Sequence, residues 1–191
     1  MEMSKLKNDM SNCEQTIGMS VLEHGESVNR YYGDLMDHLR NGSDLKYEWK
    51  LPEWIYEHKD FILSNLMDDS IVNEYQIYHD CGKPYCRTVD ADGRVHFPSH
   101  ALMSEHVWLE AGGDPQVGRL IGMDMDIHIM KAVDIPEFVQ KPEAITLLIT
   151  ALCEIHSNCS MFGGTESTSF KIKWKHTDKR GKAILKTMTG E

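Results

Sequence analysis

The chain has 191 residues, 41% of them apolar and 26% charged, with a formal net charge of −10. That length suits one domain with a small appendage, and the composition excludes a disordered tail, a collagen-like fibre and a general nucleic-acid-coating polycation. The longest apolar run, residues 144–152, is about half of the roughly 18 residues that a membrane helix needs, so no membrane partner is expected.

The first seven residues, Met1-Glu2-Met3-Ser4-Lys5-Leu6-Lys7, lack the apolar stretch of a secretory signal, and the expected location is the cytoplasm. Five cysteines (Cys13, Cys81, Cys86, Cys153 and Cys159) are an odd number with no CxxC pair. Free thiols are expected, neither a disulfide framework nor a thiolate zinc site.

Residues 1–15 are polar and predicted to be a flexible N-terminus. From residue 20, Val21, His24, Val28, Tyr32, Leu35 and Leu39 recur every three or four positions, which predicts an amphipathic helix over 20–39 with a histidine on its buried stripe. Asn41-Gly42-Ser43 should close it. Pro52 suits the first turn of a second helix over 52–67, with Ile55, His58, Ile62 and Leu66 inward. Ser70 is the expected cap of a third, running through Tyr75 and Tyr78 to His79 and Asp80 and stopping at Cys81-Gly82-Lys83-Pro84.

Asp90-Ala91-Asp92-Gly93 reads as a turn. A fourth helix is predicted over 100–111 with Ser99 as cap, broken by Gly112-Gly113-Asp114-Pro115. A fifth would place Val117, Leu120 (or Ile121), Asp124 and His128 on one face, and a sixth, over 142–162, Leu147, Ala151, Glu154 and Asn158. After Gly163-Gly164, Phe170, Ile172 and Trp174 alternate with Lys171, Lys173 and Lys175. Period two predicts a strand with a basic face, a turn over 178–182 and a return strand over 183–185. From Ser169 onward, seven basic residues stand against two acidic ones, a local excess suited to an anionic partner. The expected architecture is mainly α: a helical domain over 16–162 with a basic C-terminal β-hairpin over 163–191.

Several of these stripes carry a His or a carboxylate where a core side chain belongs. Burying each costs several kcal/mol unless it is paired. A metal ion is an economical shared partner because it supplies opposing charge and coordination together.

The sharpest motif is Tyr78-His79-Asp80-Cys81-Gly82-Lys83-Pro84, which resembles the signature of the HD-domain metal-dependent phosphohydrolases. The longer pattern His79-Asp80-x-Gly-Lys-Pro-x-x-Arg-Thr-Val-Asp-x-x-Gly-Arg-Val-His-Phe-x-x-His, ending at His100, looks most like the HD domains of CCA-adding enzymes and polynucleotide kinase fusions. Residues 20–28 resemble the first-His helix, with His58 a rival for that position. Residues 120–124 fall where many members carry a further His, and 151–158 resemble the closing helix, with Glu154 where Asp is usual.

The resemblance covers roughly residues 20–160 and implies an HD helical bundle. It also implies one or two divalent ions per chain, of a kind (Mn, Mg, Ni, Co, Fe or Zn) that the residues leave open. His24, His79, Asp80 and Glu154 would hold one ion; Asp80, His100 and Asp124 would help hold a second. His58, His96, His106, Asp126 and His128 are reserve candidates.

Asp80, Lys83 and His100 are the implied catalytic residues, with Lys83 and Arg87 expected on substrate phosphates together with Lys171, Lys173 and Lys175. Trp49 and Trp54 would stack on a base or pack. The implied activity is hydrolysis of phosphate esters at RNA ends, 2′,3′-cyclic or terminal, since bound water ionises readily on a divalent ion and phosphoryl transfer rewards positive charge. Alternatives are a nucleotidase or cyclic-nucleotide phosphodiesterase on free nucleotides, an HD-type di-iron oxygenase, and a degenerate site that binds without catalysis.

Overall fold

The helical periodicities of the sequence set most of the architecture. The computed structural model describes all 191 residues and is mainly α. In chain order the elements are α1 (Met3–Asn12), β1 (Glu14–Thr16), β2 (Met19–Ser20), α2 (Val21–Asn41), α3 (Trp54–Glu57), α4 (Lys59–Asn65), α5 (Asp69–Tyr78) and α6 (Lys83–Cys86). There follow β3 (Thr88–Val89), β4 (Val95–His96), α7 (His100–Glu110), α8 (Pro115–Gly122), α9 (Asp126–Ile129), α10 (Ile135–Phe138), α11 (Ala144–Cys159) and α12 (Thr168–Thr189). β1 pairs antiparallel with β2, and β3 with β4. No helix is long and apolar enough to cross a membrane. All five cysteines are free thiols.

The chain divides into two units, one of residues 1–29 and 68–125, the other of residues 30–67 and 126–191. In the first, α7 packs on α8, α8 on α5, and α1 on α6 and α7. The N-terminus is therefore not the flexible tail its polarity suggested. Leu6 and Met10, four residues apart on α1, are fully buried, and that apolar pair holds the helix down. In the second, α11 is buried on nearly every side and packs against α12, α9 and α4.

Four boundaries differ from the sequence reading. The helix expected over 52–67 is two, because the backbone at His58 leaves the helical region (φ −113°, ψ 23°) between α3 and α4. The third helix is capped at Asp68 rather than Ser70. Ser99 stands at the start of α7 in the left-handed conformation (φ 52°) and makes no side-chain cap. The fifth helix stops at Gly122 and resumes at Asp126, so Asp124 lies in the break and not on a continuous face with His128.

The largest correction is the C-terminal β-hairpin, which is the 22-residue helix α12. Phe170, Ile172 and Trp174 mimic a strand over five residues, but the buried set Phe170, Thr177, Gly181, Ile184 and Leu185 recurs at helical spacing. The Ser167 hydroxyl caps the start by accepting from Phe170 N–H (3.2 Å), and Gly190 ends it in the left-handed conformation (φ 75°). Gly181 is required by packing: a Cβ there would lie 2.5 Å from the Trp54 ring, which answers the question of Trp54 in favour of packing.

Candidate metal centre

The centre lies in the first unit. α2 contributes His24, the turn after α5 contributes His79 and Asp80, and the break after α8 contributes Asp124. All four are buried. Two local features bring them together. Gly25 lets α2 approach the end of α5 so closely that a Cβ would sit 2.1 Å from the Ile77 carbonyl oxygen. Gly82 presses on α7, where a Cβ would lie 2.3 Å from Ser104 N. Gly82 N–H donates to Ser104 Oγ (2.8 Å) and the Cys81 thiol to the Ser104 carbonyl (3.3 Å), fixing the turn that carries the doublet.

Asp80 is the hub. His24 Nε2 lies 3.5 Å and His79 Nε2 3.2 Å from its Oδ2, and the two rings stand edge-on with centroids 5.1 Å apart. The same oxygen accepts hydrogen bonds from Lys83 Nζ (2.6 Å) and Gln15 Nε2 (3.1 Å). His100 Nε2 lies 3.6 Å from Oδ1. The ligand atoms of His24, His79 and Asp80 fall within 4.8 Å of one another, and those of His79 and Asp124 do likewise. The Tyr75 hydroxyl donates to Asp124 Oδ1 (2.5 Å) and orients that carboxylate.

Backbone carbonyls fix the ring tautomers. His79 Nδ1 faces the Gln76 carbonyl at 2.7 Å and His100 Nδ1 faces the Phe97 carbonyl at 3.1 Å. A carbonyl only accepts, so Nδ1 carries the proton in both rings and Nε2 is the atom turned towards Asp80. This is the arrangement of outer hydrogen bonds that metal-binding histidines use.

The separations fit an ion. Two ligand atoms each about 2.1 Å from a divalent cation lie roughly 3.0–3.4 Å apart at octahedral to tetrahedral angles. The Asp80–His79 and Asp80–His24 pairs come close to that range. Burial works against the ionised form of Asp80, yet the Lys83 ammonium and the His79 and His24 rings outweigh it and hold the carboxyl well below the usual carboxylate range. The neighbouring Cys81 thiol is pushed up by burial, beyond use as a thiolate, in keeping with a packing role.

The remaining sequence candidates fall in both units. In the first unit, His96 is exposed and pairs with Asp90 (2.8 Å), and His106 is exposed 3.8 Å from Glu110. Arg87 is exposed at the end of α6, on an open cavity of about 480 Å³ that it shares with Asp9, Cys13 and Tyr85.

In the second unit, Glu154 Oε2 and His128 Nε2 lie 3.1 Å apart, Asp126 pairs with Lys141 (3.2 Å), and His58 lies 4.0 Å from Glu191. Lys171, Lys173 and Lys175 are exposed on α12, not on a strand face. Trp49 is held there by its indole N–H donating to Asp34 Oδ2 (2.9 Å) and by the His156 ring at 4.5 Å, a packing role. Sequence reasoning missed Gln15 and Ser104 and saw Tyr75 only as a helix-stripe residue. Gln15 lay in the stretch read as flexible, and no local pattern marks the other two.

No family model matches this chain, and no curated protein or solved structure matches it.

Proposed function

We propose that the first unit holds a divalent cation through His24, His79, Asp80 and Asp124 and hydrolyses phosphate esters, with the 2′,3′-cyclic or terminal phosphates of RNA ends as the substrate class. The observation that carries this reading is the meeting, in one buried place, of two imidazoles and a carboxylate whose ligand atoms lie within 4.8 Å of one another. The resemblance of the His79–His100 stretch to HD phosphohydrolases supports it independently, because it rests on residue order and not on distance. In this reading Asp124 joins the ligand set from within the same unit.

A bound divalent ion would supply a water of lowered pKa and positive charge for the phosphoryl oxygens. The protein's own groups do the rest. Lys83, mostly buried against Asp80 and with its ammonium 5.3 Å from the Phe97 ring centre, is poised to turn from the carboxylate to a phosphate oxygen. His100, a fifth exposed, points Nε2 inward from the rim, where the doubly protonated ring would give a proton to the leaving oxygen. Asp80 keeps its charge at neutral pH and so remains a ligand rather than an acid.

The test is metal analysis of the purified protein, followed by turnover of cyclic, terminal and mononucleotide phosphates with several divalent ions. Binding of about one or two ions per chain and metal-dependent hydrolysis of cyclic or terminal phosphates on RNA oligomers are expected. Asp80→Asn should abolish turnover while helicity persists. Preference for free nucleotides would shift the substrate class, and dioxygen uptake with reduced iron would replace the reaction. Wild-type turnover by Asp80→Asn would end the assignment.

A further inference from the structure

Replacing the expected hairpin by a helix rearranges the C-terminal lysines. Successive helix residues turn by about 100°, so Lys171, Lys175, Lys179, Lys182 and Lys186 fall within an arc of about 80° and extend about 22 Å along α12. All five are exposed, while Lys173 falls well off the arc. The buried residues Phe170, Thr177, Gly181, Ile184 and Leu185 occupy a separate face of the same helix.

Two of the five lysines are balanced within the chain, Lys182 by Glu53 and Glu57 as well as by its ion pair. Lys171 pairs with Glu166 (2.7 Å) and Lys182 with Asp178 (3.1 Å), whereas Lys175, Lys179 and Lys186 make no ion pair. Like charges four apart on a helix repel, which weakens α12 at 171/175, 175/179 and 182/186. The first turn of α12 carries no acidic residue and the row begins there with Lys171, against the helix dipole. Helix stability therefore does not account for the row, and an external polyanion would relieve it.

We propose that this lysine row is a track for the phosphate backbone of an RNA strand. The choice of RNA rests on the phosphohydrolase reading; the track itself rests on the charge geometry. A regular line of cations suits a polymer that carries a charge every few ångströms along its axis. A membrane-lying helix needs an apolar face free to enter lipid, but here Phe170, Ile184 and Leu185 are buried and only Ile172 stands exposed among the large apolar side chains of α12.

The test is fluorescence anisotropy of a labelled single-stranded RNA 20-mer with the whole protein in EDTA, so that binding is read without turnover. Five phosphate contacts predict a slope of log K against log salt of about −3.5, or roughly a hundredfold loss of affinity between 50 and 200 mM salt. The triple variant K175Q/K179Q/K186Q should flatten the slope to about −1.4, K175R/K179R/K186R should restore it, and K173Q should leave it within about one contact of wild type.

Salt-independent or undetectable RNA binding by the wild type, or equal losses in K173Q and the triple variant, would overturn the track. So would binding to phosphatidylserine vesicles with the same lysine dependence and no RNA binding. Hydrolysis of small phosphate esters without RNA binding would sink the track and spare the phosphohydrolase. RNA binding without any hydrolysis would do the reverse.

Discussion

The ammonium of Lys83 lies 2.6 Å from Asp80 Oδ2, the oxygen towards which His24 and His79 also turn. Lys83 thus occupies part of the electrostatic role that a divalent ion would take, and the two cations compete for one carboxylate oxygen. Replacing Lys83 by Met removes the competitor while keeping the apolar stem. Divalent-ion affinity is expected to rise by about tenfold, the equivalent of about 1.4 kcal/mol, while turnover of phosphate esters falls by about 10²-fold. Titration calorimetry with Mn²⁺ and steady-state assays check both, and weaker metal binding in the variant would refute the competition.

Gly25 and Gly33 share α2 but have opposite surroundings. A Cβ at Gly25 would collide with the Ile77 carbonyl at 2.1 Å, whereas nothing lies within 4 Å of one at Gly33. Helix propensity alone favours Ala over Gly by about 1 kcal/mol at either position. Gly33→Ala should therefore stabilise by about 0.5–1 kcal/mol. Gly25→Ala should destabilise by about 1–3 kcal/mol and weaken metal binding, because His24 moves with the displaced helix. Urea unfolding of the two variants reads the opposite signs directly.

His156 is fully buried on α11, donates from Nδ1 to the Leu152 carbonyl (2.8 Å) and accepts at Nε2 from Lys50 N–H (3.0 Å). Burial lowers its pKa to about 4. The unfolded chain takes up this proton below about pH 6.5, so between the two values the unfolded state binds more protons and acidification destabilises the fold. The contribution is complete above about pH 6.5 and shrinks by about 2 kcal/mol between pH 7 and pH 5. In His156→Gln, which retains an acceptor for Lys50, that part of the slope should vanish. Calorimetric melting across the interval measures the difference, and parallel wild-type and variant curves would contradict it.

Asp34, buried on α2, gathers the segment that leads into α3. Its carboxylate accepts from Lys46 N–H (2.9 Å), Tyr47 N–H (3.2 Å) and the Trp49 indole N–H (2.9 Å). Asp34→Ala strands three donors and is expected to cost about 2–4 kcal/mol, with Asp34→Asn intermediate because it keeps one acceptor oxygen. Chemical denaturation followed by tryptophan fluorescence checks the ranking. Equal stability of the three proteins would remove Asp34 from this role.

The helices α2 and α11 were legible because their inward residues recur over ten or more positions, long enough for period 3.6 to separate from period 2, and α5 and α7 because Gly and Pro follow them closely. The His79-Asp80 doublet was legible because its turn, Gly82-Lys83-Pro84, is local. α12 was not, although Ser167 and Gly190 cap it in the usual places: five alternating residues outweighed a buried set spread over sixteen. The burial of Leu6 and Met10 was equally hidden, since two apolar residues in a polar stretch do not say whether a partner surface exists.

Sequence by itself determined the helical class and the doublet, and offered His24, His79, Asp80, His100, Asp124 and Glu154 as candidate ligands. Tertiary structure alone decided that His24, His79, Asp80 and Asp124 are buried in one unit, that Gln15 and Tyr75 hold the two carboxylates, and that five lysines form one row. The physical reason is range. Backbone preference and periodicity act between residues a few positions apart, whereas Asp80 and His24 meet only because Gly25 permits two helices to touch and the packed unit keeps them there.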